Sequence, residues 1–376
     1  MKNRKRNSKL SLVRSLLVLL VITTVAALLY IDSNDVTNEA NSGTRNAVVD
    51  LLQKQVFEPV LPDTAVTLPK DFRFHPEYQH EWWQYFANVV DDEGAEYGIQ
   101  WSYFRIASDE RKTAGWQSPQ IYISHVVISS KNKVWKEQRI ARGGVGQAGM
   151  IVEPFKVWVD NWCWQATGKT PFPGELDIST NEFALNLQSQ AAGPFALLGE
   201  NGYQPKHDLL PIAAFNISAP FISVKGEITL GDNKTTRVKG NAWMSKEWGS
   251  QLISQRQKGW DWFVVRLNES EVLTVSQYRH EDQMPYVFGS IISNSGKTIS
   301  LDETQISLNS SKGSVLKGGK RVPLEWDVII PQYDINLALT PVNKNLLLPF
   351  IIPYWEGPIE VRGSHNGKGF MQLTGY

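Results

Sequence analysis

The sequence predicts an all-β protein that follows an N-terminal membrane-targeting helix. Short apolar and aromatic runs alternate with turn residues roughly every eight to twelve positions, a spacing typical of β-sandwiches and β-barrels. Long helical patterns are scarce in the rest of the chain. Fourteen tryptophans among 376 residues further indicate that the strands enclose large aromatic side chains.

The targeting segment, residues 1–35, predicts a signal peptide or a membrane anchor. Basic residues crowd the region from Lys2 to Arg14, and an apolar run without acidic residues extends from Leu16 to Tyr30. This charge asymmetry keeps the N-terminus in the cytoplasm and sends the following chain across the membrane. No clear cleavage site follows Ala27, which favours an uncleaved inner-membrane anchor over a cleaved, secreted form. We expect the protein on the periplasmic or extracytoplasmic side of the cell envelope.

Residues 36–70 predict a linker, because they are mostly polar and include Pro62 and Pro69. Three pairs of strand-like runs with turn residues between them then predict hairpins, and these are Trp82–Val90 with Tyr97–Ile106, Phe221–Leu230 with Thr235–Trp243, and Trp260–Leu267 with Glu271–Tyr278.

Alternation within the strands predicts which faces are buried. Apolar residues tend to occupy one parity in Ile222–Leu230, as expected for a strand with one wet and one dry face. Other strands place Trp and Tyr at both parities, which predicts either cover on the outside or an aromatic cavity inside. We expect the tryptophans to line a cavity for an apolar ligand; the alternative is that they simply fill the core.

Several classes of function lack support. Lys plus Arg and Asp plus Glu both number 38, so no net charge favours nucleic acid. Gly144–Gly149 matches a dinucleotide-binding pattern by letter, but Pro154 and a strand-like run follow it, which indicates a turn. The spacing of His75, His80 and Glu81 fits no standard zinc site. We therefore expect neither a metal nor another cofactor.

Three blocks combine acidic or amide side chains with indoles in an unusual way. They are His80–Asn88 with Tyr97–Arg105, Gly240–Gln251 with Gly259–Phe263, and Tyr354–Gly357 with Gly369–Tyr376. In this order they resemble the AttH/CrtC family, a lipocalin-like group that includes carotenoid 1,2-hydratases and many predicted secreted hydrolases. The resemblance extends over about residues 71 to 376 and includes His125 and Gly199–Tyr203.

The resemblance implies two consecutive lipocalin-like β-barrels, which we place at residues 71–239 and 240–376. It implies an apolar, isoprenoid or lipid-like ligand and a hydratase-type lyase or a hydrolase. A non-catalytic carrier or an accessory protein of a membrane transporter is the alternative. The family pattern implied for Trp243–Trp248 has an Asp at its third position, where this chain has Ser245; this loss of an acid favours the carrier.

Acids beside indoles are the candidate catalytic residues: Glu81, Glu247 and Asp261. Protonation of an alkene carbon requires a neutral carboxylic acid, and burial beside Trp82 could raise the pKa of Glu81 enough to supply one. The alternatives are a structural hydrogen bond of Glu81 to the backbone or to Arg105, a surface ion pair of Glu247 with Lys246, and a satisfied buried acid for Asp261. The candidate ligand-binding residues are His80, Trp82, Gln100, Arg105, His125, Trp243, Trp248, Trp262, Tyr278 and Trp355. The expected partners are an apolar small molecule or lipid and, through the N-terminal segment, the membrane; the oligomeric state is not predicted.

Overall fold

The computed structural model describes residues 57–109, 115–207, 212–231, 234–250, 257–281, 283–311, 313–316 and 319–376. The predicted targeting segment and most of the predicted linker lie outside these residues. Within the described part, no helix is long and apolar enough to cross a membrane. Its helices are 3-10 turns at Lys70–Phe72, Gly115–Gln117 and Pro331–Tyr333.

The first sheet is antiparallel and runs in the order β4-β3-β2-β1-β12-β11-β9-β8-β7-β6-β5, with β10 paired to β11. Its strands are His80–Asp91 (β1), Glu96–Ala107 (β2), Gln120–Ser129 (β3), Val134–Arg142 (β4), Ala148–Val152 (β5), Phe155–Val159 (β6), Trp162–Ala166 (β7), Gly174–Ser179 (β8), Phe183–Ala191 (β9), Tyr203–Pro205 (β10), Ala213–Leu230 (β11) and Lys234–Gly249 (β12). Because β3 and β4 both contact β6, the sheet curls into a nearly closed barrel, called the first barrel below.

The second sheet runs in the order β16-β15-β14-β13-β24-β23-β21-β20-β17, with β22 on β23, and forms a half-barrel. Its strands, with the separate pair β18 and β19, are Gln257–Arg266 (β13), Glu271–His280 (β14), Tyr286–Ser293 (β15), Thr298–Leu301 (β16), Ser307–Ser310 (β17), Ser314–Val315 (β18), Arg321–Val322 (β19), Trp326–Ile330 (β20), Ile335–Pro341 (β21), Leu347–Leu348 (β22), Tyr354–Gly363 (β23) and Gly367–Thr374 (β24).

The prediction of an all-β chain with two consecutive lipocalin-like units is confirmed. The three predicted hairpins correspond to β1–β2, β11–β12 and β13–β14. Strand β12 extends through the boundary expected between residues 239 and 240 and pairs along its whole length in the first sheet. The change of sheet therefore comes after Gly249.

The two interiors are filled by side chains. Trp83, Trp101 and Trp164 pack with Tyr85 and Tyr103 inside the first barrel. Each of these indoles is at most 1% exposed. For these tryptophans, the alternative of a filled core describes the structure better than an aromatic ligand cavity, because close packing leaves no room for a ligand between the rings.

A third apolar cluster joins the outer face of the first barrel to the half-barrel. Phe86 and Trp243 from the first sheet pack there against Trp262, Val264 and Phe370 from the second. Successive side chains of a strand point to opposite faces, so the residues of β1 that alternate with its barrel-facing ones point toward the half-barrel. The candidate site lies on this outward-facing side of β1.

Candidate functional site

A cavity of about 90 Å³ that is partly open to solvent lies between the facing sheets, so a bound molecule larger than this volume would extend beyond it. The first barrel contributes His80, Trp82, Gln84, Phe104, Arg105, Ile106, Leu198, Gln204, Lys206, Asn216, Ser245 and Glu247, and the second sheet with its connections contributes Trp260, Trp262, Thr274, Ser276, Tyr278, Phe288, Gly289, Ser290, Ile352, Tyr354 and Gln372. Aromatic rings and uncharged polar groups make up most of this wall.

Strand register explains why these residues meet. In the first sheet, Trp82 is directly opposite Phe104 on β2 and Glu247 on β12, and Glu247 is opposite Asn216 on β11. These four residues therefore form one row on the outer face of the barrel.

The second sheet presents a matching row. Trp262 is opposite Gln372 on β24 and Ser276 on β14, and Ser276 is opposite Phe288 on β15. The cavity is the space between the two rows.

Glu247 is the carboxylate of the described cavity wall. Its Oε2 accepts a hydrogen bond from Lys206 Nζ at 2.7 Å and a longer one from Asn216 at 3.4 Å. Burial by itself would lower the pKa of Lys206, but the neighbouring Glu247 carboxylate raises it overall, so the ammonium keeps its proton. The same ammonium lies 5.3 Å from the centre of the Tyr278 ring and 5.7 Å from that of Phe288. A charge pair thus sits against aromatic faces.

Glu81 lies on the barrel-facing side of β1, away from the cavity wall. Its carboxylate is 3.5 Å from Lys246 Nζ and 3.7 Å from the Arg105 guanidinium, and it accepts the main-chain N–H of His75 at 2.9 Å. Although burial opposes ionisation, Lys246 and the other basic neighbours lower its pKa overall. The expected raised pKa is not found, because burial here comes with several cationic and hydrogen-bonding partners.

Lys246 and Glu247 do not form the surface ion pair considered as an alternative. Adjacent residues of β12 point to opposite faces, so Lys246 enters the barrel and Glu247 faces the cavity, and both are buried. Burial lowers the pKa of Lys246 to about 8 despite the raising effect of Glu81.

Asp261 is fully buried on the interior side of the half-barrel and does not line the cavity. It accepts hydrogen bonds from Arg279 Nε at 2.9 Å, the Tyr376 hydroxyl at 2.9 Å and Gln277 at 3.1 Å. Burial raises its pKa to about 6, and Arg279 partly offsets this effect. The contacts agree with the alternative of a satisfied buried acid.

The candidate ligand-binding residues separate into two groups. His80, Trp82, Arg105, Trp262 and Tyr278 line the cavity. Burial lowers the pKa of His80 to about 3, so its imidazole is neutral. Its Nδ1 has no hydrogen-bond partner among the described residues.

The second group lies outside the cavity wall. His125 Nδ1 is 2.6 Å from the hydroxyl of Tyr354, a wall residue, and Gln100 donates to the main-chain carbonyl of Glu356 at 3.2 Å. The remaining three are Trp243 in the cluster between the sheets, Trp248 in the first barrel and Trp355 in the half-barrel.

Sequence reasoning missed Lys206, Phe104, Trp260, Gln372 and Glu356. Glu356 and Gln372 stand in the third block of acidic or amide side chains beside indoles, and that block could have indicated them. Nothing near Lys206 in the sequence indicated that it pairs with Glu247. Among the described residues, no group of three His, Cys, Asp or Glu side chains could hold a metal ion.

Comparisons with known proteins agree with this architecture. An AttH protein from Nitrosomonas europaea aligns over 85% of this chain and 99% of its own, with 26% identity and a TM-score of 0.76. Kievitone hydratase from Nectria haematococca covers 85% and 98%, with 13% identity and a TM-score of 0.61. CghA, solved with Sch210972, covers 86% and 96%, with 13% identity and a TM-score of 0.53. At 13% identity, the last two show the fold alone.

No curated protein matches the chain. A family model described as AttH-like matches residues 59–376, which includes every block that carried the resemblance. The chain therefore belongs to the AttH-like family.

Proposed function

We propose that this protein binds a neutral, apolar small molecule of isoprenoid or lipid-like character in the cavity between the two sheets. The observation that carries the proposal is the wall itself, in which Trp82, Phe104 and Trp262 from both sheets surround a few uncharged polar groups. These three rings keep part of their surface accessible although they lie between the sheets. An apolar ligand would cover that surface, and the polar groups would orient it.

The charges of the wall favour a ligand without net charge. Glu247 and Lys206 neutralise each other at 2.7 Å, and His80 is neutral. The Arg105 guanidinium has the Glu81 carboxylate at 3.7 Å as its counter-charge and donates to the main-chain carbonyls of His75 and Tyr78. The described wall residues offer a charged ligand no free counter-charge, so it would lose its hydration without compensation, which is unfavourable.

Binding without turnover is the better-supported form of this function. Protonation of a carbon atom needs a carboxyl group that carries its proton and faces the substrate. Glu247, the carboxyl group of the described wall, is bound to a lysine instead. Ser245 lines the cavity where the family resemblance implied an acid, so a second carboxyl group is missing at that place.

A hydratase-type lyase or a hydrolase is the second candidate. It is supported by the position of Glu247 in the wall and by the shared fold of kievitone hydratase. Replacing Glu247 by Gln separates the two candidates. If the protein is an enzyme, the variant should bind ligand but form no product. If it is a carrier, neither wild type nor the variant should form product. A role beside a membrane transporter, and the location in the cell envelope, rest on the N-terminal sequence alone.

The binding proposal is tested with a neutral fluorescent probe, N-phenylnaphthylamine, in wild type, Trp82→Ala and Trp116→Ala. Trp116 is 76% exposed and serves as the matched tryptophan control. We expect saturable binding that Trp82→Ala weakens about 10-fold or more, as for a buried aromatic contact, while Trp116→Ala changes nothing. Equal binding by all three folded proteins would refute the assignment of the cavity. Native mass spectrometry of protein purified from its own envelope would then identify the natural ligand.

A further inference from the structure

The third sequence block has no specific role in the function proposed above, yet its two halves meet at the cavity. Glu356 on β23 is directly opposite Gln372 on β24. Gln372 lines the cavity, whereas Glu356 lies behind it and is 1% exposed. The pair therefore extends the row of the second sheet by one strand.

The Gln372 amide is held in one orientation by its two partners. Trp260 Nε1 donates to its Oε1 at 2.8 Å, and its Nε2 donates to Glu356 Oε1 at 2.6 Å. An indole N–H can only donate, so the amide oxygen must face Trp260 and the amide nitrogen must face Glu356. A primary amide has two N–H donors and two lone pairs. One N–H and one lone pair therefore remain for a ligand.

Glu356 differs from the three candidate catalytic acids. Glu81, Glu247 and Asp261 each have a cation within ion-pair distance, while no Lys, Arg or His of the described chain lies within 4.0 Å of the Glu356 carboxyl group. A buried carboxylate without a cation is strongly unfavourable, so this group keeps its proton at neutral pH. In agreement, burial raises its pKa to about 8, and the hydrogen bond from Gln372 only partly offsets this effect.

The surroundings of Glu356 suit an uncharged acid. Gln100 from the first barrel donates to its main-chain carbonyl, and the Oε1 of the same glutamine is buried without a hydrogen-bond partner. The other titratable groups on this side are Tyr354 and His125, bonded to each other. Both are neutral, because burial raises the pKa of Tyr354 and lowers that of His125 to about 3.

We propose that Glu356, as an uncharged carboxylic acid, is a positioning residue that fixes the Gln372 amide, and that Gln372 binds a hydroxyl or carbonyl oxygen of the ligand. This inference rests on the proposed function and narrows it. The preferred ligand is an apolar alcohol or ketone rather than a hydrocarbon of the same shape. A hydrocarbon would leave the free N–H of Gln372 buried without a partner, which is the usual physical basis of such discrimination.

The test compares perillyl alcohol with limonene, the same carbon skeleton without the hydroxyl, as competitors of N-phenylnaphthylamine. We expect wild type to prefer the alcohol about 10-fold, the ratio of one good hydrogen bond. Gln372→Leu should abolish the preference by weakening only the alcohol. Glu356→Leu should reduce it as well, and Glu356→Gln, whose amide oxygen can still accept from Gln372, should retain it. Thermal unfolding of each variant checks that it is folded.

A pH series adds a readout that a merely structural role would not change. The preference of wild type should change as pH rises through about 8, where Glu356 ionises and its charge strengthens the hydrogen bond from the Gln372 N–H, and that of Glu356→Gln should stay constant. If Gln372→Leu retains the preference, or Glu356→Leu retains it at every pH, the inference is overturned while the binding proposal stands. If wild type binds none of the three compounds, both proposals fail.

Discussion

Replacing Glu81 by Gln should destabilise the first barrel and leave the cavity between the sheets intact. The Glu81 carboxylate is 2% exposed and lies 3.5 Å from Lys246 Nζ, whose side chain is fully buried. Removing one partner of a buried ion pair leaves the other charge without compensation, and such changes cost about 3–5 kcal/mol. A neutral amide at position 81 would leave the buried Lys246 ammonium without its carboxylate partner.

The structure favours the lower end of that range. Lys246 Nζ also donates to the main-chain carbonyls of Asp71 and Arg73, and these bonds survive the substitution. Its pKa is already lowered to about 8 with Glu81 present, so without the carboxylate the lysine can lose its proton instead of remaining charged. We therefore expect a loss of about 3 kcal/mol in the free energy of unfolding.

Urea unfolding monitored by tryptophan fluorescence measures this loss, and the double variant Glu81→Gln/Lys246→Met provides the control. Because the double variant removes both charges, it should be less destabilised than the sum of its single changes. The single variant, while folded, should bind N-phenylnaphthylamine as wild type does. A loss below about 1 kcal/mol, or a folded variant that no longer binds, would refute this reasoning.

Two further predictions concern groups at or behind the cavity. Lys206→Met removes the cation from the buried Glu247 carboxylate. We expect the free energy of unfolding in urea to fall by about 1–3 kcal/mol and probe binding to weaken. Unchanged values for both would show that the Lys206–Glu247 pair contributes to neither. Glu356 has its pKa raised from 4.5 to about 8 in the folded protein, so between these values the folded state binds more protons than the unfolded state. Its contribution to stability is therefore fully present below about pH 4.5 and is lost as pH rises toward 8. Thermal unfolding from pH 5 to 9 should show wild type losing stability relative to Glu356→Gln, and parallel profiles of the two proteins would contradict the assignment.

The pKa of Glu81 shifts in the opposite direction to that of Glu356. Burial alone would raise the pKa of Glu81, but Lys246 and the other basic neighbours lower it overall on folding. Its stabilising contribution is thus present above the ordinary carboxylate pKa and is lost as pH falls into the acid range. The two glutamates resemble each other in the sequence, since each stands beside a tryptophan, and only their neighbours in space give them opposite pKa shifts.

Local alternation made much of the fold predictable. The turn sequences between Trp82–Val90 and Tyr97–Ile106, and in two similar places, correctly indicated hairpins because strand pairing between chain neighbours depends on short-range geometry. The blocks of acids and indoles pointed to Trp82 as a ligand-binding residue and to Glu247 as a catalytic one, and the two lie on one row at the cavity. The blocks of acids and indoles were sufficient to indicate the family.

Local sequence patterns thus predicted the all-β class and three hairpins, and the family resemblance implied two lipocalin-like units. Folding in three dimensions fills both interiors and leaves the cavity between the sheets, because packing depends on which distant faces meet. It also decided the partners of each charge. Lys206 is 41 residues from Glu247, and Gln372 is 16 residues from Glu356, and no local pattern reports such distances. The ionisation of a buried acid follows from the groups within a few ångströms of it, and those groups are assembled only when the chain folds.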